Sequence, residues 1–112
     1  MVVSVGERTF TKEVLESSTL VVVTFWAPWC RLCQIVEPLL SRFQAEWEEP
    51  IKLVRINADE NFKLAKDYRL TTLPTLLMFE NGQLRHRLDG FQAKDELRAS
   101  LERLMSLKSY SA

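Results

Sequence analysis

Residues 20–33 read "LVVVTFWAPWCRLC", and the reading of this stretch decides the fold. Its first half is a near-continuous β-branched and aromatic run, the pattern of a central strand buried on both faces. Its second half carries Cys30 and Cys33, the two cysteines of the chain, three residues apart where the strand pattern gives way to a helical one. From Cys33 onward Val36, Leu39, Leu40, Phe43 and Trp47 recur at spacings of three and four, which predicts an amphipathic helix. Pro38 lies inside that helix and predicts a kink.

On either side of this junction, "VVSV" predicts a short strand. "FTKEVLESS" predicts a helix with Thr9 as N-cap and with Phe10 and Val14 on one face. "IKLVRINAD" reads as a second buried strand, and "ENFKLAKDY" as a short helix with Phe62, Ala65 and Tyr68 near one face. "PTLLMFE", Asn81-Gly82 and "QLRHRLDG" read as a hairpin, because Asn-Gly suits the turns that match twisted strands. A last helix is expected from Lys94 to Leu107, burying Leu97, Leu101, Leu104 and Met105. Ala93 is a poor cap, so its start is expected to fray. This order predicts an α/β fold in which a central mixed sheet carries helices on both faces.

The 112 residues are expected to form one domain, 1–112. Fifteen basic and fifteen acidic residues leave no net charge, so a nucleic-acid partner, which needs a basic surface, is not expected. No basic amphipathic stretch suggests a membrane surface. The apolar run Leu20–Trp26 is far shorter than the ~20 residues of a membrane span. The N-terminus lacks the features of a signal peptide. A reducing compartment is therefore expected, where a close cysteine pair is catalytic or metal-binding more often than a staple.

The residues themselves leave three readings of that pair. Thiol–disulfide exchange needs a thiolate and a second thiol near enough to resolve the mixed disulfide. With the helix starting at Cys30, unpaired N–H groups and the helix dipole favour negative charge on its sulfur. Cys33, one turn further in, is expected to be the more buried, resolving thiol, while Pro28 and Trp29 shield one side. The two cysteines are otherwise small hydrophobes. A metal site needs about four ligands; besides the cysteines there is one histidine, His86, expected on the solvent face of the hairpin. No metal is expected.

The run "VVVTFWAPWCRLCQIVEPLL", the later "TTLPTLLMFENGQ" and the "DG" before the last helix together resemble the thioredoxin family, from about Phe10 to Leu107. The resemblance implies the thioredoxin fold, with Cys30 as attacking and Cys33 as resolving cysteine. It implies that Pro74 is a cis-proline beside the disulfide, so that the backbone of Leu73 pairs with an extended substrate. Trp29, Leu73, Pro74, Gly90 and Phe91 would then form a shallow substrate groove. Pro38 matches the family's kink proline, and Trp26 the indole packed beneath the site.

Two departures from the family are expected to modulate the site. Arg31 and Leu32 replace the usual Gly-Pro between the cysteines. A guanidinium ~6 Å from the Cys30 sulfur stabilises a thiolate by ~0.7 kcal/mol at water's dielectric and ~3 kcal/mol at an effective value near 20. Stabilising the thiolate favours the reduced form, so ~1 kcal/mol raises the potential by ~20 mV. The competing reading of Arg31 is a solvated charge with no redox role. Thr24 stands where the family has a buried aspartate, and a hydroxyl cannot titrate there. Proton transfer at Cys33 is expected to suffer, an aspartate at position 24 to speed mixed-disulfide release, and Arg55, at the place of the family's lysine, to turn to solvent or pair elsewhere.

The resemblance thus implies a thiol–disulfide oxidoreductase acting on protein disulfides, more oxidising than an ordinary thioredoxin and of low activity. It needs no bound cofactor, and an external thiol donor, such as a thioredoxin reductase, would reduce it. It is expected to be a monomer of the bacterial cytoplasm or plastid stroma. The alternative is a binding, adaptor or redox-sensing module on the same fold.

Overall fold

The computed structural model describes the backbone of residues 2–111 and the side chains of residues 2–104. Five strands, β1 (Val2–Ser4), β2 (Leu20–Trp26), β3 (Ile51–Asn57), β4 (Thr75–Glu80) and β5 (Gln83–Leu88), form one sheet in the order β1-β3-β2-β4-β5. β1 and β2 both run parallel to β3, β4 is antiparallel to β2, and β5 to β4. The sheet is mixed, as expected.

Strand periodicity divides the core into two layers. Val21, Val23 and Phe25 of β2, Val54 and Ile56 of β3 and Leu77 and Phe79 of β4 point to one face. There they pack on Phe10 and Val14 of a short π-type turn (Thr11–Leu15) and on Leu64 of helix α2 (Phe62–Asp67). Val22, Leu53, Leu76 and Met78 point the other way, onto Val36, Leu40 and Phe43 of helix α1 (Arg31–Glu46) and Leu97 and Leu101 of helix α3 (Lys94–Ser111). Each layer is apolar on its sheet side, so β2, which feeds both, has to be apolar throughout. Phe10, Phe79 and Tyr68 meet edge-on or tilted in the first layer, with centroids 5.7–6.0 Å apart.

The hairpin is the one predicted. Asn81 and Gly82 have φ of 52° and 78°, the two positive values of a type I′ turn. An added Cβ on Gly82 would also lie 2.6 Å from the Leu15 carbonyl oxygen, so backbone packing and turn geometry both require glycine. A register shift at Met78/Phe79 bends the β4–β5 ladder. β5 is the sheet's edge and exposes Gln83, Leu84, Arg85 and His86. Arg87 turns back from it, donating to the Tyr68 and Arg69 carbonyls and to the Asp89 carboxylate.

Several expectations are corrected. Thr9 caps no helix: its hydroxyl accepts from the Gly6 N–H at 3.3 Å, closing the turn before the helical segment, which Phe10 leads. Phe62 is 76 % exposed, and α2 buries Leu64 instead. The phase of this six-residue helix is set from outside, because Glu7 accepts from the N–H groups of Lys63 (2.7 Å) and Leu64 (3.3 Å). Trp47 follows α1 as its C-cap rather than lying within it. α3 starts without a good cap at Ala93, yet Glu96 reaches back to accept from the Gln92 N–H at 3.2 Å, closing the end expected to fray. Leu104 is half-buried on the core, and the Met105 side chain lies outside the described residues.

Candidate active site

The chain leaves β2 at Trp26 and makes a tight turn in which the Cys30 N–H donates to the Ala27 carbonyl at 3.0 Å. That turn delivers Cys30 to the N-cap of α1 in an extended conformation (φ −88°, ψ 104°). Its Sγ accepts the N–H of Cys33 at 3.2 Å. The sulfur therefore takes the place a serine or aspartate oxygen holds at an ordinary cap. A thiolate formed there keeps that donor and faces the positive end of a 16-residue helix.

Cys30 and Cys33 are joined in a disulfide with Cα atoms 5.3 Å apart. Such a separation lies in the ordinary range for a disulfide. The expected difference in burial is not found: each cysteine is 6 % exposed. Position on the helix, not overall burial, distinguishes them, because only Cys30 stands at the cap. Ala27 completes their cluster, and Trp26, Leu32 and Leu73 pack against it.

Leu73 and Pro74 are joined by a cis peptide bond, as the resemblance implied. They lead into β4, and the Thr75 hydroxyl, fully buried, anchors the turn by donating to the Thr72 carbonyl at 2.7 Å. Pro74 is buried and Leu73 half-buried. Trp29 is 70 % exposed, and its indole N–H donates to Asp59 at 2.9 Å. The Asp59 N–H in turn donates to Asn57 Oδ1, also at 2.9 Å. Asp59 was not among the sequence candidates; the signal was the polar run "NADEN" directly after a buried strand.

Arg31 is exposed, on the first turn of α1. Gly90 is exposed with φ of 72°, and Phe91 packs half-buried on the α1–α3 layer. Neither belongs to the set packed directly on the cysteines. His86 is exposed on β5, and among the described residues no group of three or more His, Cys, Asp or Glu side chains is placed to hold a metal ion.

Thr24 is half-buried, paired in register with Arg55 of β3. It lines a cavity of about 180 Å³ behind Cys33, together with Val2, Trp26, Glu37 and Arg55. Arg55 takes the second of its two expected courses. Its guanidinium lies over the Trp26 ring, 4.0 Å from the centroid, and contacts Glu37 Oε1 at 3.5 Å.

A pair of cysteines at a helix N-terminus, close enough to bond and backed by an apolar cluster, defines a thiol–disulfide exchange site. The sequence pattern of the family described as Thioredoxin matches residues 1–103. The chain is 38% identical over 100 residues to "Thioredoxin 1" of Synechococcus elongatus, covering 89% of this chain and 94% of that protein. It is 39% identical over 99 residues to "Thioredoxin 1" of Nostoc sp. (88% and 92% covered), and 36% over 97 residues to "Thioredoxin" of Rickettsia prowazekii (87% and 92%). The chain belongs to the thioredoxin family, and its fold is the thioredoxin fold. Cys30 and Cys33 make it a thiol–disulfide oxidoreductase.

Proposed function

We propose that this chain exchanges disulfides in other proteins, and that its pair is more oxidising than that of an ordinary thioredoxin. The observation that carries the reading is the Cys30 sulfur at the N-cap of α1, accepting the Cys33 N–H. Cys30 thiolate attacks one sulfur of a substrate disulfide, and the other leaves as a thiolate. Cys33 then attacks the Cys30 sulfur, releases the second substrate thiol and forms the Cys30–Cys33 bond. Two electrons pass to the substrate, and an external thiol donor, such as a thioredoxin reductase, restores the pair. The sulfurs carry the electrons and no bound cofactor takes part.

Trp29, Leu73, Pro74, Gly90 and Phe91 form the substrate groove in this reading, with the Leu73 backbone pairing to an extended segment. The exposure of Trp29 beside the buried sulfurs supports it. Arg31, exposed one residue past the attacking sulfur, raises the potential by electrostatic stabilisation of the thiolate. Leu32, packed on the cysteine cluster, modulates the same loop. Thr24 supplies no carboxylate at its position, which lowers turnover unless another group handles the Cys33 proton. The protein acts as a monomer in a bacterial cytoplasm or plastid stroma; the bacterial relatives support that setting, and among the described residues no helix is long and apolar enough to cross a membrane.

A Cys33→Ser variant incubated with disulfide-bonded proteins tests the activity. Mixed disulfides through Cys30 are expected to accumulate. Their absence, with partner binding that survives loss of both cysteines, would establish the adaptor reading instead.

A further inference from the structure

The cavity behind Cys33 contains a carboxylate that the sequence pattern did not single out. Glu37 lies four residues after Cys33 on α1, so the two side chains share one helix face about 6 Å apart at Cβ. Both line the same cavity as Thr24 and Arg55. Arg55, on the same face of the sheet as α1, lies on Trp26 and contacts one oxygen of the half-exposed Glu37 carboxylate at 3.5 Å. A carboxylate accepts on both oxygens, so an oxygen held by Arg55 leaves the group able to take a proton.

We infer that Glu37 is the proton acceptor and donor for Cys33, supplying from the helix what Thr24 cannot supply from the strand. The inference rests on the exchange chemistry proposed above. The cavity, at about 180 Å³, has room for water, and Thr24, Glu37 and Arg55 give such water the polar partners it needs. When Cys33 attacks the Cys30 mixed disulfide, the S–S bond to the substrate breaks and the Cys30–Cys33 bond forms. The substrate sulfur leaves with the electron pair, and the Cys33 proton passes through water to the Glu37 carboxylate. In the reducing direction the donor's thiolate attacks Cys30, Cys33 leaves as a thiolate, and the proton returns to it from Glu37. Glu37 acts through water and is a positioning residue for that proton.

Among the described residues, the charged and titratable groups lining this space are Cys33 and Glu37 of α1 and Arg55 of β3; Val2, Thr24 and Trp26, from β1 and β2, carry no charge. A pH profile of the Cys33 step therefore reads a small set of groups.

The experiment is stopped-flow reaction of the reduced protein with 5,5′-dithiobis(2-nitrobenzoate), in the intact chain. The first coloured thiolate reports attack by Cys30, and the second reports attack by Cys33 on the Cys30 mixed disulfide. Glu37→Gln is expected to leave the first phase unchanged and to slow the second at least ~10-fold at neutral pH. Without the carboxylate, that phase should rise ~10-fold per pH unit between about pH 5.5 and 8, while the parent protein shows a much flatter profile. Glu37→Asp should retain part of the rate, and Thr24→Asp should restore it in the Glu37→Gln background. A second phase with unchanged rate and pH profile in Glu37→Gln would overturn the inference. So would a uniform slowing that neither aspartate rescues. If the parent protein releases no first thiolate, the exchange reading itself fails, a result distinct from failure at Glu37.

Discussion

The indole N–H of Trp29 donates to the Asp59 carboxylate at 2.9 Å, tying the loop before Cys30 to the loop after β3. The ring is 70 % exposed, so this bond, rather than burial, sets its orientation beside the sulfurs. Asp59→Ala is expected to raise KM for a disulfide-bonded protein substrate about threefold with kcat nearly unchanged, since one bond to an exposed charged group is worth ~0.5–1 kcal/mol. Steady-state reduction of a reporter protein checks this; a fall in kcat alone would assign Asp59 a different role.

Arg31→Gly is expected to lower the Cys30–Cys33 midpoint potential by about 20 mV, the shift that corresponds to ~1 kcal/mol of thiolate stabilisation. Alkylation and intact mass across a graded dithiol buffer give the value. The parent should titrate above the figure of about −270 mV typical of thioredoxin. An unchanged midpoint in the variant would leave Arg31 as a solvated charge.

Gly82→Ala combines a positive φ with a Cβ placed 2.6 Å from the Leu15 carbonyl oxygen. It is expected to cost at least ~2 kcal/mol, lowering Tm by roughly 10 °C. Gly90→Ala makes the comparison clean. Gly90 also has positive φ, but an added Cβ there meets nothing within 4 Å, so only the backbone penalty of about 1 kcal/mol should appear.

Lys52 donates to both the carboxylate and the backbone carbonyl of Glu13, pinning the π-type turn to β3. The hydrogen bond from Lys52, followed by its charge, holds the Glu13 carboxyl below its ordinary value of 4.5. A carboxyl depressed in the folded state adds stability above its unfolded pKa and loses it as pH falls through the folded one. Glu13→Gln is therefore expected to lower Tm at neutral pH. The gap should narrow as pH falls below about 4.5 and close beneath the folded value. A gap that does not change with pH would refute the assignment.

How far the sequence anticipates this structure depends on how local each feature is. The β2–α1 junction is legible because its apolar run, turn and helix start lie within a few residues. The type I′ hairpin is legible because Asn81-Gly82 is a complete turn signal. The exposure of Phe62 is not legible, because the phase of α2 is set by Glu7, which lies 56 residues before Lys63. The role of Asp59 is hidden for a similar reason: its partner Trp29 is 30 residues away. Glu37 carries no motif signal, because its neighbours at the cavity behind Cys33, Thr24 and Arg55, come from strands distant in sequence.

β5 ends the sheet with Arg85 and His86 exposed and with Arg87 drawn back onto the Tyr68 and Arg69 carbonyls. The bulge at Met78/Phe79 adds a bend that an incoming straight strand would not match. A second copy laid along this edge would have to bury exposed Arg85 and half-buried Glu80, an ion pair at 3.7 Å, so the edge discourages aggregation by strand addition. A protein that is proposed to offer its backbone to other chains beside Pro74 must do so without recruiting itself. The charged, bent rim of β5 separates those two behaviours, and it does so two strands away from β2, which leads to the cysteines.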